Sequence, residues 1–308
     1  MPVYVQNPHP RSLVRRPADD LIAADTRMGA VELLVRDLDA MIGFYSQGMT
    51  LDVLEQTGDT AVLGRPGLPI VRMRRMADLP PRRQGEAGLF HTAVLFEDKP
   101  SLAAAVASVA RYAPRSFTGS SDHLYSEAFY FDDPEGNGVE MYVDRPRETW
   151  ATEPHGLLKV ATNPLDPNEF LRTHLPNAPI TPAAGPAATL GHVHLQVGDI
   201  GVARDFYVDA LGFEVMSDVG SALFIAAGGY HHHIAVNTWG TAGAGPRAAA
   251  LGLGQVNIDL PTADDVDALR QRLGDHGFAT RHDGAVLRVD DPWGTLIQVG
   301  VEGAADGR

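Results

Sequence analysis

The chain contains no cysteine. Disulfides, thiolate metal sites and a cysteine nucleophile are excluded, so any metal must sit on His, Asp or Glu. Long apolar runs are also missing, and no stretch approaches the roughly 20 residues of a membrane-spanning helix. The start, MPVYVQNPHPRSLVRRPADDL, is charged and has no apolar core of signal-peptide length, which makes a cytoplasmic protein the expectation. Basic residues are in deficit: 25 Lys and Arg stand against 39 Asp and Glu, a formal net charge of −14. Nucleic acid or an anionic membrane surface would need a basic face, so neither is expected as a partner. A small-molecule substrate is untouched by this argument.

The 308 residues suffice for two ordinary domains, and 44% apolar with 21% charged residues is a folded composition rather than a disordered one. There are 12 histidines. Internal repetition organises the rest. Residues 29–37 (GAVELLVRD) and 191–199 (GHVHLQVGD) both start with Gly, alternate apolar residues at strand period and end in Asp. Each runs into a helical stretch carrying Phe44-Tyr45 or Phe206-Tyr207. Each then reaches a glycine, Gly48 or Gly212, that fits a C-terminal helix cap leading into a strand. Two weaker copies start at residues 90–98 (FHTAVLFED) and 254–260 (GQVNIDL), followed by helical stretches over 101–110 and 264–273. Both close with an Asp-Pro turn, at Asp133 and Asp291, and an outgoing strand. The chain therefore reads as four βαβββ modules of roughly 50 residues each. Residues 1–26 and 302–308 read as tails. Residues 27–145 hold modules one and two, and 190–301 hold modules three and four. The Pro-, Ala- and Thr-rich stretch 146–189 reads as a linker with a short helix at 168–174.

This pattern resembles the vicinal oxygen chelate superfamily, which includes glyoxalase I, bleomycin-resistance proteins and type I extradiol dioxygenases. The resemblance spans nearly all of 27–301. Residues 122–142 (DHLYSEAFYFDDPEGNGVEMY) and 228–237 (GGYHHHIAVN) resemble the four-module bacterial catechol 2,3-dioxygenases closely. The generic module hosts many chemistries, whereas these two stretches are more specific. The resemblance implies an α+β fold in which modules pair into two cups.

It also implies that metal ligands come from the first and last strands of a module. The first-strand position, seven residues before the closing Asp, is Ala30, His91 and His192 in modules one to three, and Gln255 matches in module four. The last-strand carboxylate position is Glu140 in module two and Gln298 in module four. Pairing modules one with two and three with four leaves neither cup a full set. Pairing two with three collects His91, Glu140 and His192, the two-His, one-carboxylate set of non-haem Fe(II) sites with open positions. Mn(II) suits the same donors. Each residue taken alone reads more readily as a core or surface residue than as a ligand; their coincidence at the matched positions points to a metal.

Ring cleavage beside a diol also needs proton transfer, for which histidine is suited. Matching the family motif puts the catalytic His at His232, with a one-residue slip moving it to His231 or His233. On an inferred strand, His231 and His233 would share one face. His123 and Tyr130 match two further family positions, as a hydrogen-bond partner of a substrate hydroxyl and a donor to the bound catecholate; core packing is the competing account of Tyr130. His194, His233, Asn237 and Trp239 are expected to line the substrate pocket. The activity implied is Fe(II)-dependent meta cleavage of a catechol-type diol by O2. A glyoxalase-like lyase or isomerase and a metal-free drug-binding protein are the rivals. Edge strands and paired cups favour a homo-oligomer.

Overall fold

The computed structural model describes residues 8–175 and 187–301. The C-terminal tail and residues 176–186 of the expected linker lie outside the described residues. The four modules are present in chain order. Module one has β1 (Arg27–Met28), β2 (Val31–Val35), α1 (Leu38–Gly43), β3 (Asp52–Gln56), β4 (Thr60–Arg65) and β5 (Leu68–Arg75). Module two has β6 (Gly88–Phe96), α2 (Lys99–Tyr112), β7 (Phe117–Asp122), β8 (Ser126–Asp132) and β9 (Gly138–Asp144). A connecting segment carries β10 (Asn163–Pro164) and α3 (Pro167–His174). Module three has β11 (Ala188–Gln196), α4 (Ile200–Ala203), β12 (Glu214–Asp218), β13 (Ala222–Ala226) and β14 (Ile234–Asn237). Module four has β15 (Gly252–Leu260), α5 (Ala263–Asp275), β16 (Thr280–His282), β17 (Val286–Asp290) and β18 (Leu296–Val301).

The repeated Asp that closes each first strand has a local job. Asp37, Asp98 and Asp199 are the N-caps of α1, α2 and α4, each accepting a hydrogen bond from a backbone N–H three residues on. This satisfies donors that a helix start leaves open. In module four Thr262 replaces the Asp and forms a capping box with Asp265. The Phe-Tyr pairs lie in π-helical turns, Phe44–Gly48 and Arg204–Ala210, with all four rings buried. The left-handed residue after these turns is Gly212 in module three (φ 92°), as expected. In module one it is Thr50 (φ 63°) rather than Gly48, because Thr50 is the residue in register with Gly212.

The sheets settle the pairing. One runs β10-β7-β8-β9-β6-β11-β14-β13-β12, joining modules two and three. The other runs β16-β17-β18-β15-β2-β5-β4-β3, joining modules four and one, with β1 beside β15. The seams are antiparallel, β6 with β11 and β15 with β2. Within each module the first strand pairs in parallel with the last. The contiguous halves 27–145 and 190–301 thus do not form separate sheets, and each cup takes one module from each half. A single apolar cluster containing Leu33, Phe44, Phe96, Phe129, Phe206, Leu269 and Val299 runs through all four modules.

Two expected accessory segments are structured. The N-terminal stretch has 3₁₀ turns at Pro10–Leu13 and Ala18–Asp20, and Ser12 donates to Asp218, which Arg204 also grips, all three being buried. The supposed linker also packs against the domain. β10 pairs with β7, Leu157, Leu158, Val160 and Ala161 are buried, and Phe170 on α3 packs on Phe129 (ring centroids 4.8 Å apart). Composition alone suggested a linker because Pro and Ala carry no strong period; the few apolar residues in it are the ones that anchor it. Among the described residues no helix is long and apolar enough to cross a membrane.

Candidate metal centre and its cavity

His91 lies on β6, Glu140 on β9 and His192 on β11, three adjacent strands at the seam between modules two and three. Ala93 is in register with Glu140 on one side and with His192 on the other. Its methyl group is all that stands between the two larger side chains. His91, two residues earlier, shares its face. The donor atoms converge: His91 Nε2 is 3.0 Å and His192 Nε2 is 3.4 Å from Glu140 Oε2, and one ligand atom from each residue falls within 4.8 Å of the others. Among the described residues no other three His, Asp or Glu side chains gather in this way.

Two β-bulges frame the seam. Between β6 and β11 the register shifts between Leu190 and His192 and again between His194 and Leu195. The first leaves Gly191 as the extra residue. A Cβ there would sit 1.8 Å from the Tyr142 hydroxyl, so glycine is what lets Tyr142 lie beneath His192. The second leaves Phe90 out of the ladder, so Phe90 joins His91 at the same cavity instead of facing away.

The donors are all buried, with relative exposures of 6% for His91, 3% for Glu140 and 1% for His192. His91 Nε2 and both ring nitrogens of His192 find no directed hydrogen bond; the short contacts to Glu140 are off the N–H direction. Buried polar atoms without partners are rare and call for an explanation. Burial by itself would raise the Glu140 carboxyl, but the His192 and His91 rings outweigh it and hold Glu140 well below its ordinary value. Burial drives His192 down to about 4, against the pull of Glu140. Two imidazoles and one carboxylate, pointed at one spot with their donor atoms unspent, fit a divalent cation with open positions.

The centre opens into a cavity of about 330 Å³ lined by His91, Glu140, His123, Tyr130, His194, His232 and Trp239 among the expected residues. Phe90, Tyr125, Phe224, Val160 and Thr162 also line it, beside a polar stretch at Ser120, Ser121 and Ser126. His123 Nδ1 lies 2.6 Å from the Ala161 carbonyl and Nε2 lies 2.6 Å from the Tyr130 hydroxyl. A carbonyl only accepts, so Nδ1 carries a proton and, in the neutral ring, Nε2 accepts from Tyr130. Burial, with Glu140 nearby, pushes the Tyr130 phenol well up and keeps it protonated as a donor. Burial, reinforced by neighbouring histidines, pushes both His194 and His232 well below the ordinary histidine value.

Three expectations need correction. The histidine run is not on a strand: β14 begins at Ile234, after a turn in which Gly228 (φ 57°) and Gly229 (φ 69°) are both left-handed. Alternation therefore does not sort the run. His231 and His232 lie together, with Nδ1 atoms 2.8 Å apart. His232 is against His192 (ring centroids 4.0 Å apart). His233 is turned away from this cavity; its Nδ1 accepts from the Ala227 N–H and it lines a different crevice with Leu190 and Asp259. Asn237 is fully buried and does not line the wall. It accepts from the Trp239 N–H through Oδ1 and donates through Nδ2 to His194 Nε2 (2.9 Å each), so it braces two wall residues. Sequence reasoning missed Phe90, because a bulge is invisible to alternation, and Tyr125 and Val160, which carry no signal beyond being apolar.

At the matching positions of the other cup, Asn257 donates to the Ala30 carbonyl and Gln255 donates to Asn257, while Gln298 accepts from Arg288. Glu32 pairs with Arg74.

Residues 27–141 and 189–299 match the model of the Glyoxalase/Bleomycin resistance protein/Dioxygenase superfamily. A protein of Bacillus subtilis (strain 168) named Catechol-2,3-dioxygenase is 35% identical over 284 residues, covering 88% of this chain and 95% of that one. Among solved structures, a proposed dioxygenase from Bacillus subtilis subsp. subtilis strain 168 superposes with TM-score 0.62 at 12% identity, covering 92% of this chain and 86% of that one. Glyoxalase I from Zea mays superposes with TM-score 0.57 at 15% identity, covering 91% and 94%. At such identities the structural likeness speaks for the fold alone. By the family match and the extent of the sequence likeness, the chain belongs to the glyoxalase/bleomycin resistance/dioxygenase superfamily.

Proposed function

We propose that the protein is an extradiol dioxygenase that opens the ring of a catechol-type diol with O2, using Fe(II) held by His91, Glu140 and His192. The observation that carries this reading is the donor set itself: three buried ligands on one side, facing a cavity walled by aromatic and imidazole side chains. The sequence relative named Catechol-2,3-dioxygenase supports the substrate class. Mn(II) suits the same donors. When bound, the ion would supply open positions at which a deprotonated diol and O2 could meet, and both oxygen atoms would enter a hydroxymuconic semialdehyde.

The chain's own residues would do the rest. His232, against His192, takes a hydroxyl proton from the entering diol and returns one as the ring opens; a ring that is neutral at working pH is suited to accept it. With its hydroxyl proton donated to His123 Nε2, a ring that the Ala161 carbonyl holds in place, Tyr130 turns its oxygen lone pairs to the cavity and orients the diol by accepting from a diol hydroxyl. His194 is set by Asn237, and with Phe90 and Trp239 it forms one aromatic wall for the diol ring. Phe90 stands edge-on to His194 at 4.9 Å and to Trp239 at 5.5 Å.

The test is anaerobic reconstitution with Fe(II), followed by oxygen uptake and the yellow absorbance of a ring-opened product on adding catechol and substituted catechols. Uptake with colour, abolished in His192→Ala together with iron binding, is the expected result. Stoichiometric iron without uptake on any diol would sink the reading and favour a redox-neutral lyase or isomerase.

A further inference from the structure

His232 is connected to the end of β9 by a run of directed hydrogen bonds. Its Nδ1 meets His231 Nδ1 at 2.8 Å. His231 Nε2 meets Asp144 Oδ1 at 2.9 Å. The other carboxylate oxygen of Asp144 accepts from Tyr230 at 2.9 Å, and Tyr230 meets Tyr142 at 2.8 Å. His231 is held flat by Tyr125, stacked 4.6 Å away at 16°. Asp144 ends β9, the strand that carries Glu140, and its side chain is a quarter exposed in a cleft with Arg145 and Trp150, apart from the diol cavity.

The directions follow from donor chemistry. Both Asp144 oxygens accept, so His231 Nε2 must donate. With one proton on the His231 ring, its Nδ1 is a bare acceptor. The contact with His232 then requires the proton on His232 Nδ1, which leaves His232 Nε2 as a lone pair. We propose that Asp144 and His231 are a positioning pair that fixes this tautomer, so that the one unengaged nitrogen of His232 meets the diol as a base. The logic is that of a carboxylate orienting a general-base histidine, with a second imidazole interposed. The inference rests on the proposed dioxygenase reading for its catalytic consequence; the tautomer itself does not.

The test uses the full chain loaded with Zn(II), a diamagnetic ion, and 15N-labelled histidine, with ring protonation read from two-bond 1H–15N spectra. The expected wild-type pattern is one proton on His232 at Nδ1 and one on His231 at Nε2. Asp144→Ala should lose this pattern at both rings, and Tyr230→Phe, which leaves the His231 contact, should keep it. In the iron-loaded enzyme Asp144→Ala should lower kcat about tenfold to a hundredfold while KM stays within about twofold. A wild-type His232 protonated at Nε2, a doubly protonated His231, or tautomers unchanged in Asp144→Ala would each overturn the proposal, and the wild-type spectrum decides even if the variant does not fold. A wild-type enzyme that opens no diol would fail the dioxygenase reading, while the spectrum still decides the tautomer.

Discussion

At Asp133 one buried carboxylate holds a turn and a neighbouring module together. Oδ1 accepts from the N–H groups of Glu135 and Asn137 at 2.9 Å. Oδ2 accepts from Asn137 Nδ2 at 2.9 Å and from the Tyr45 hydroxyl of module one at 3.2 Å. Asp291 repeats the arrangement with Trp293, Thr295 and the Tyr207 hydroxyl of module three. The repeated Phe-Tyr and Asp-Pro motifs are thus two ends of one contact. Burial raises Asp133 from the ordinary 3.8 to about 6, in spite of these hydrogen bonds. A carboxyl raised on folding makes the native state the better proton binder. Its contribution to stability is complete below pH 3.8 and is lost as pH rises through about 6. Asp133→Asn keeps an acceptor for the turn but cannot ionise. The stability difference between wild type and this variant should therefore shift against the wild type by about 2 kcal/mol between pH 4.5 and 7.5. Urea unfolding of both proteins at the two pH values checks this; parallel behaviour would mean that Asp133 titrates as if exposed.

At the scale of elements, what could be read from the sequence was what repeats. The strand–helix–strand order, the Asp caps and the Asp-Pro turns all come from local rules that act within a few residues. The resemblance to the superfamily, laid over these copies, then singled out His91 and His192 at the first-strand position of modules two and three and Glu140 at the last-strand position of module two. What stayed hidden depends on non-local or non-periodic features. The bulges at Phe90 and Gly191 shift register against a strand about 100 residues away in sequence. The double-glycine turn at Gly228 and Gly229 breaks the alternation expected of His231 to His233. The packing of residues 146–175 depends on a few apolar anchors in a proline-rich stretch. One of these anchors offers a test. Phe170 is buried against Phe129, and the same segment presents Val160 and Thr162 to the cavity and the Ala161 carbonyl to His123. If the segment is an integral wall, Phe170→Ala should cost about 3–5 kcal/mol of global stability, as for other buried aromatic truncations. A loss below about 0.5 kcal/mol, the scale of surface substitutions, would return it to the role of a linker.

For the whole molecule, the consequence of the pairing is that neither half of the sequence owns a complete sheet. Residues 1–145 bring β6 and β9 with His91 and Glu140, and residues 146–308 bring β11 with His192. Separated, the first half would expose β6 and β2 along their seam edges, and the second would expose β11 and β15. Unpaired central edges facing an apolar core are costly and prone to aggregate. What ties modules one to two, and three to four, is helix packing and scattered hydrogen bonds rather than a strand ladder: Tyr45 to Asp133, the Arg36 and Asp37 N–H groups to Glu135 and Ser108 to the Gln47 carbonyl in one half, and Tyr207 to Asp291 and Arg272 to the Ala210 and Leu211 carbonyls in the other. The two halves expressed apart should therefore show no cooperative unfolding transition and no stoichiometric Fe(II) binding. Co-expressed or refolded together, they should recover both in a one-to-one complex. Calorimetry and anaerobic iron titration of each half and of the mixture would decide it. A first half that melts cooperatively alone would show that modules one and two have a stable pairing of their own, and the seam between modules two and three would then be one of two accessible arrangements rather than the one the chain requires.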